Sequence, residues 1–232
     1  MKIDLHTHSR VSDGTATPTA LVEEAAAAGV DVVALTDHDT TAGWAEAAVA
    51  ARASGIRLVR GIEISTRFER AGVHLLAYLP DETDAALRAE LARIVDGRGD
   101  RVPAMLAKLR ALGIPATSDA LARVSGDSVV TGRPHVADLL VDLGVVGHRD
   151  EAFARYLGEG GPAFVDRHAA DLVPMLALVR AAGGVPVVAH PWGRGSARVL
   201  DEAAFELLAD AGLAGIEVDH LDHDAAARGR LR

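Results

Sequence analysis

Leu21-Val22-Glu23-Glu24-Ala25-Ala26-Ala27-Ala28, then Gly29, then Val30-Asp31-Val32-Val33-Ala34-Leu35 running into Thr36-Asp37-His38, is the pattern from which the rest of the chain can be read. An Ala-rich amphipathic segment forms a helix readily, and a Gly directly after it takes the left-handed cap conformation without a Cβ penalty. A near-continuous apolar run then suits a strand buried on both faces of a parallel sheet. The same order recurs in Ala42 to Ser54, Gly55, then Ile56 to Glu63; in Leu172 to Ala182, Gly183-Gly184, then Val185 to His190; and in Leu200 to Ala211, Gly212, then Gly215 to Glu217. Repeated helix-then-strand units predict a parallel α/β fold. Each run ends in an acid or a histidine, and the C-terminal strand ends are where such folds carry their sites. No Gly-rich phosphate loop follows the first strand, which favours an α/β barrel over an open dinucleotide-type sheet.

Between residues 82 and 170 the rhythm stops. Ala85 to Asp96, Val102 to Leu112, Ser118 to Val124, His135 to Leu143 and Glu151 to Leu157 read as helices with no strong strand among them. The expected organisation is therefore a barrel begun in 1–81, a helical insertion in 82–170, and the barrel resumed in 171–232.

Composition bounds the function classes. With 49% hydrophobic and 25% charged residues among 232, the chain can bury a sizeable core, and no apolar run reaches the roughly 18 residues a membrane span needs. Its 24 basic against 33 acidic residues argue against gripping long duplex nucleic acid, but leave room for a local basic pocket and a small anionic substrate. The start Met1-Lys2-Ile3-Asp4 puts charge where a signal peptide needs an apolar stretch, and the absence of Cys removes disulfides, thiolate zinc sites and cysteine nucleophiles. Both point to the cytoplasm.

The chemistry gathers at the strand ends. Lys2 to His8 alternates, so on a strand Asp4, His6 and His8 share one face. Asp13 follows in a Ser12-Asp13-Gly14 loop, His38 stands between Asp37 and Asp39, Glu63 ends the third run, His74 lies in the apolar stretch Val73 to Leu79, and His190 ends Val187-Val188-Ala189. Each residue alone has an ordinary reading as a turn residue, a helix cap, a surface acid or a satisfied core histidine. Five histidines and two carboxylates at one end of a barrel, with no thiolate, instead suit Zn, Mn or Fe. Seven ligands exceed what one tetrahedral ion uses, so two or three divalent transition-metal ions are expected.

His6-Thr7-His8-Ser9, Ser12-Asp13-Gly14-Thr15, Leu35-Thr36-Asp37-His38-Asp39-Thr40, Gly61-Ile62-Glu63-Ile64-Ser65, His74 and Ala189-His190-Pro191 together resemble the polymerase and histidinol phosphatase (PHP) family of metal-dependent phosphoesterases. The resemblance implies a distorted seven-stranded (β/α)7 barrel with a small helical insertion. It also implies a metal cluster formed by His6, His8, Asp13, His38, Glu63, His74 and His190, serving phosphate ester hydrolysis by an activated hydroxide. Gly132-Arg133-Pro134-His135 in the insertion is similar to the branch that acts on nucleoside 3′,5′-bisphosphates and trims short 5′-phosphorylated RNA. On that resemblance Arg133 and His135 grip a substrate phosphate, Arg by a bidentate fork. Arg194, His220 and His223 are further candidates for substrate contact. Asp4, Asp37 and Asp39 are candidates to orient ligand imidazoles, with helix capping as the equal alternative.

The family also closes its site with an Asp-x-His pair in a Gly-Ser-Asp-x-His-Gly stretch, which these 232 residues do not contain. Either the last strand and two ligands fall outside them, or Asp222, His223 and Asp224 substitute. Two other readings stay open: histidinol-phosphate phosphatase, which shares the metal set, and a degenerate barrel that binds nucleotide without turnover. Amidohydrolase chemistry is disfavoured, because Lys2 and Lys108 are the only lysines and neither stands at a suitable strand end.

Overall fold

The computed structural model describes residues 1–69, 71–99, 101–126, 132–165, 169–193 and 195–232. The first two helix-then-strand units form as the pattern predicts. β1 (Ile3–Thr7) lies parallel to the wholly buried β2 (Val32–Leu35), with α1 (Pro18–Ala27) between them in sequence. α2 (Trp44–Ser54) then leads into β3 (Arg57–Phe68), parallel to β2. Gly29 and Gly55, which end the two helices, sit at φ 75° and 71°, the left-handed region that the repeat demanded of them.

β4 (Ala71–Tyr78) corrects the all-parallel expectation. It pairs antiparallel with β3 from Gly61↔Tyr78 to Phe68↔Ala71, and antiparallel again with β6 (Val185–Val188). The reason is the length of the connection: a parallel return needs a crossover of about a dozen residues or more, and only two lie between Phe68 and Ala71. An apolar run by itself carries no direction. Glu63 is likewise not at a strand end but inside β3, which runs on to Phe68.

Helices α3 (Ala85–Gly99), α4 (Arg101–Ala111), α5 (Ser118–Ser125), α6 (Arg133–Asp142) and α7 (Arg149–Ala152) follow, the last passing into a π-helical turn over Phe153–Leu157. The barrel resumes with β5 (Ala170–Asp171), set beside β3, and with α8 (Leu172–Ala181), which leads into β6. α9 (Glu202–Asp210), β7 (Gly215–Ile216) and α10 (Ala225–Leu231) complete the chain, β7 lying parallel to β6. The sheet order is β1-β2-β3-β4-β6-β7, with β5 on β3. It curls into an incomplete barrel: among the described residues no backbone pairing joins β7 to β1.

Two apolar cores result. One lies between the sheet and its helices, with Leu35, Ile62, Ile64, Leu75, Met175 and Leu176 buried at its centre. The other is built by Met105, Leu109, Val136, Leu140 and Leu157 from the later helices. Each such side chain contributes roughly 1.5–3 kcal/mol on burial, so both cores are substantial. Leu87, Leu91 and Ile94 of α3 pack into the first core. Among the described residues no helix is long and apolar enough to cross a membrane.

Candidate metal centre

His6 lies one residue before the end of β1, and His8 follows the strand as the chain turns off it. The loop after it brings Asp13 back toward both. Gly14 allows that turn, since a Cβ on it would lie 2.2 Å from the His8 carbonyl oxygen. His38 follows β2 in a backbone bridge to Glu63, and the Asp39 N–H donates to the Glu63 carbonyl at 3.1 Å. Glu63 and Ser65 share a face of β3, and Ser65 pairs with His74, so the antiparallel register delivers His74 to the face that carries Glu63. His190 follows β6 with φ 27°, a strained conformation for a residue with a Cβ.

Five of the sequence-predicted ligands, the histidines, meet at the carboxylate of a sixth, Glu63. Its Oε2 lies 3.2 Å from His6 Nε2, 3.0 Å from His8 Nε2 and 3.3 Å from His38 Nε2. Its Oε1 lies 2.7 Å from His74 Nδ1 and 3.0 Å from His190 Nε2. Asp13 closes the ring, at 3.5 Å from His8 Nδ1 and 3.6 Å from His38 Nε2. Three triads, His6/His8/Glu63, His8/Asp13/His38 and His38/Glu63/His74, each keep one ligand atom per residue within 4.8 Å of the others.

Burial and charge compete at Glu63, Asp13, His6 and His74. Burial pushes the Glu63 carboxyl up, but the His38 and His74 imidazoles and hydrogen bonds from His190 and His6 outweigh it and hold it well below the ordinary range. Asp13 is half-buried, and His38 and His8 overcome the desolvation and hold it down. The histidines split. Burial lowers His6, but hydrogen bonds to Glu217 and Glu63 overcome it and raise the ring to about 10, whereas at His74 burial wins over Glu63 and the ring falls to about 3.

The acidic residues expected to orient imidazoles do something else. Asp37 is buried and holds the loop that carries Asp13, accepting from Ser9 N–H at 2.8 Å, Ser9 Oγ at 2.6 Å and Ser12 Oγ at 2.6 Å. Asp39, at φ 57°, accepts from the Ser65 N–H at 2.6 Å and so pins β3 beside the loop after β2. Asp4 is exposed, and its carboxylate meets the backbone N–H of His6 rather than a ring. His223 corrects the expectation of a substrate contact: it is buried, with Nδ1 on the Val218 carbonyl and Nε2 accepting from Trp192 N–H, so both nitrogens serve the fold. His220 does reach the cluster, its ring centroid 4.7 Å from that of His190. Arg194 lies outside the described residues.

Sequence reasoning missed Glu217, whose carboxylate lies 3.0 Å from His6 Nδ1 and groups with His6 and His220. A signal existed, for Glu217 ends the fourth apolar run just as His190 ends the third. A cavity of about 800 Å³ opens beside the cluster, lined by Asp13, His38, His74 and His190, by Arg67 of β3 and Arg198 after β6, and by Arg101, Arg133 and Arg149 of the later helices. Arg133 stacks 5.8 Å from the Phe153 ring and 5.9 Å from Phe164, while Arg101 stands 5.7 Å from Phe164 and donates to the Val165 carbonyl. His135 is buried at the same wall, its Nδ1 accepting from the Gly132 N–H as a helix cap. Apart from Arg133, no sequence signal marks these arginines, and the place of Arg101 and Arg149 depends on how α4 and α7 pack beside the barrel.

Residues 4–116 match the model of the PHP domain family. A 5′-3′ exoribonuclease of Haemophilus influenzae is 44% identical over 190 residues, which cover 82% of this chain and 69% of that protein. A 3′,5′-nucleoside bisphosphate phosphatase of Chromobacterium violaceum is 40% identical over 221 residues, 95% of this chain and 78% of that one. Among solved structures, a Bifidobacterium adolescentis protein assigned as a metal-dependent phosphoesterase superposes with a TM-score of 0.93 at 34% identity, covering 100% of this chain and 82% of that one. The chain belongs to the PHP family of metal-dependent phosphoesterases. It is accordingly a hydrolase acting on phosphate ester bonds.

Proposed function

We propose that His6, His8, Asp13, His38, Glu63, His74 and His190 hold two or three divalent ions, Mn, Zn or Fe, and that the chain hydrolyses phosphate esters of nucleoside 3′,5′-bisphosphates or short 5′-phosphorylated RNA. One observation carries the reading: a fully buried carboxylate ringed by five imidazole nitrogens within 3.3 Å. His6 Nε2 and His8 Nε2 also face each other at 3.1 Å, two nitrogens aimed at one point, as donors to a shared cation are. The donor set, imidazole and carboxylate without thiolate, fits borderline and hard ions. When bound, such ions activate water and neutralise phosphoryl charge.

The chain's own residues then have distinct tasks. Glu63, held ionised, joins the triads to one another, and Asp13 is presented by a loop that Asp37 fixes. Arg133 and Arg101, on the facing wall, hold the part of the substrate that does not react, and a nucleotide with a second phosphate offers them an anion. His135 lines that path, and His220 stands beside His6 and His190. The names of the Haemophilus and Chromobacterium relatives support a nucleotide in this role. The test is a panel of nucleoside 3′,5′-bisphosphate, a short 5′-phosphorylated RNA and histidinol phosphate, each with Mn, with Zn and after chelation. Metal-dependent release of phosphate or mononucleotide from the first two is expected. Turnover of histidinol phosphate alone, or retained metal with no hydrolysis, would overturn the reading.

A further inference from the structure

We propose that Glu217 is a positioning residue of the metal centre: it sets the His6 imidazole with Nε2 toward Glu63, and in the same contact fastens β7 to β1. The inference rests on the reading of His6 as a ligand. Its observations are geometric. Glu217 stands just after β7, where its own N–H donates to the Val188 carbonyl at 2.8 Å and so fixes its backbone to β6. Its carboxylate reaches across the gap in the barrel, placing Oε1 and Oε2 3.0 and 3.1 Å from His6 Nδ1. Oε2 also accepts the backbone N–H of His190 at 2.8 Å. One side chain therefore touches two members of the cluster, one through its ring and the other through a strained backbone at φ 27°.

The two nitrogens of His6 then have different duties. Nε2 faces Glu63 Oε2 at 3.2 Å and His8 Nε2 at 3.1 Å, so it is the atom turned toward the cluster. A ring that gives Nε2 to a cation keeps its proton on Nδ1, and that N–H needs an acceptor to hold the tautomer and the ring angle. Glu217 supplies it. No strand pairing between β1 and β7 does the same work among the described residues, which leaves the side chain as the link at this edge. His220 joins Glu217 and His6 in a group of ligand-competent atoms, and an ion held there through His6 Nδ1 would replace the contact that this nitrogen makes with Glu217.

The experiment compares the full chain with Glu217→Ala and Glu217→Gln, loaded with zinc and labelled with 15N-histidine. In the parent the His6 spectrum should show a metal-shifted Nε2 and a protonated Nδ1. Glu217→Ala should lose that signature and bind zinc about 10–100-fold more weakly, with the loss falling on kcat more than on KM. Glu217→Gln should keep most of both, because its carbonyl oxygen still accepts from Nδ1. An unchanged zinc affinity in Glu217→Ala would overturn the proposal, even alongside a lower unfolding temperature, since that pattern marks a fastening role alone. A metal-shifted Nδ1 would overturn it too, and would put the ion between Glu217 and His220. Absence of zinc from the parent would overturn this inference and the proposed function together, whereas zinc in the parent with an indifferent Glu217→Ala removes only the former.

Discussion

The barrel mouth and the helical wall opposite it present a phosphate ester with two unlike surfaces. At the mouth, imidazoles and carboxylates sit on or past strands, are buried or half-buried, and hold one another at 2.7 to 3.6 Å around Glu63. On the wall, arginines start or edge helices and rest on aromatic rings and carbonyls, as Arg133 does on Phe153 and Phe164. Two others are paired with acids near the surface, Arg149 with Asp138 and Arg198 with Glu159. The mouth is a rigid unit in which each group's charge depends on its neighbours; the wall is a set of separate cations. Losses at the mouth should therefore be large and shared, and losses on the wall smaller and individual.

Glu63→Gln should have the largest effect, because it removes the charge that all five imidazoles face. A fall in kcat/KM of about 1,000-fold or more is expected, with loss of bound metal. Elemental analysis beside the rate separates this from a folding defect. Gly14→Ala comes next: the new Cβ would strike the His8 carbonyl, so the loop must move and Asp13 with it. A loss of about 1–3 kcal/mol in urea unfolding is expected, together with a lower metal content. Arg133→Ala should leave metal content alone and raise KM by about 10–100-fold for a bisphosphorylated nucleotide, with a smaller effect on a monophosphorylated one. If both substrates suffer equally, the wall does not read the second phosphate.

The smallest effect is also the one whose sign is most specific. In the metal-free chain His6 titrates near 10 against 6.5 unfolded, so its contribution to stability is complete below 6.5 and lost as pH rises toward 10. His74, lowered to about 3, acts oppositely: the unfolded chain takes up a proton that the folded one refuses, and stability falls as pH drops from 6.5 toward 3. Metal at His6 Nε2 must displace a proton, so metal affinity should strengthen between about pH 6 and about pH 8, with proton release measurable by calorimetry in buffers of different ionisation enthalpy. Affinity that is flat over that range would break the assignment of His6.

Much of the mouth was legible because strand-end chemistry is local. His6 and His8 alternate along one stretch of sequence, and His38 and His190 follow apolar runs, so their types and spacing survive without knowledge of the fold. The direction of β4 was not legible from hydrophobicity, although the two residues between Phe68 and Ala71 contained it. Glu217 was visible as the end of a run but was passed over, since a carboxylate off the metal-facing side looks like any surface acid until His6 Nδ1 is seen beside it. For Asp37 the sequence left an imidazole partner and a cap as equal alternatives, and the turn through Ser9 and Ser12 gives it two serines to satisfy. Arg101 and Arg149 were not legible at all. Only the packing of α4–α7 against the barrel brings them to the cavity.

Metal stoichiometry tests the central claim most directly. The chain, loaded with zinc or manganese and freed of excess by gel filtration, should hold more than one ion, and His8→Ala should lower that number, because His8 belongs to two of the three triads. One ion or fewer in the parent, with His8→Ala unchanged, would contradict the account.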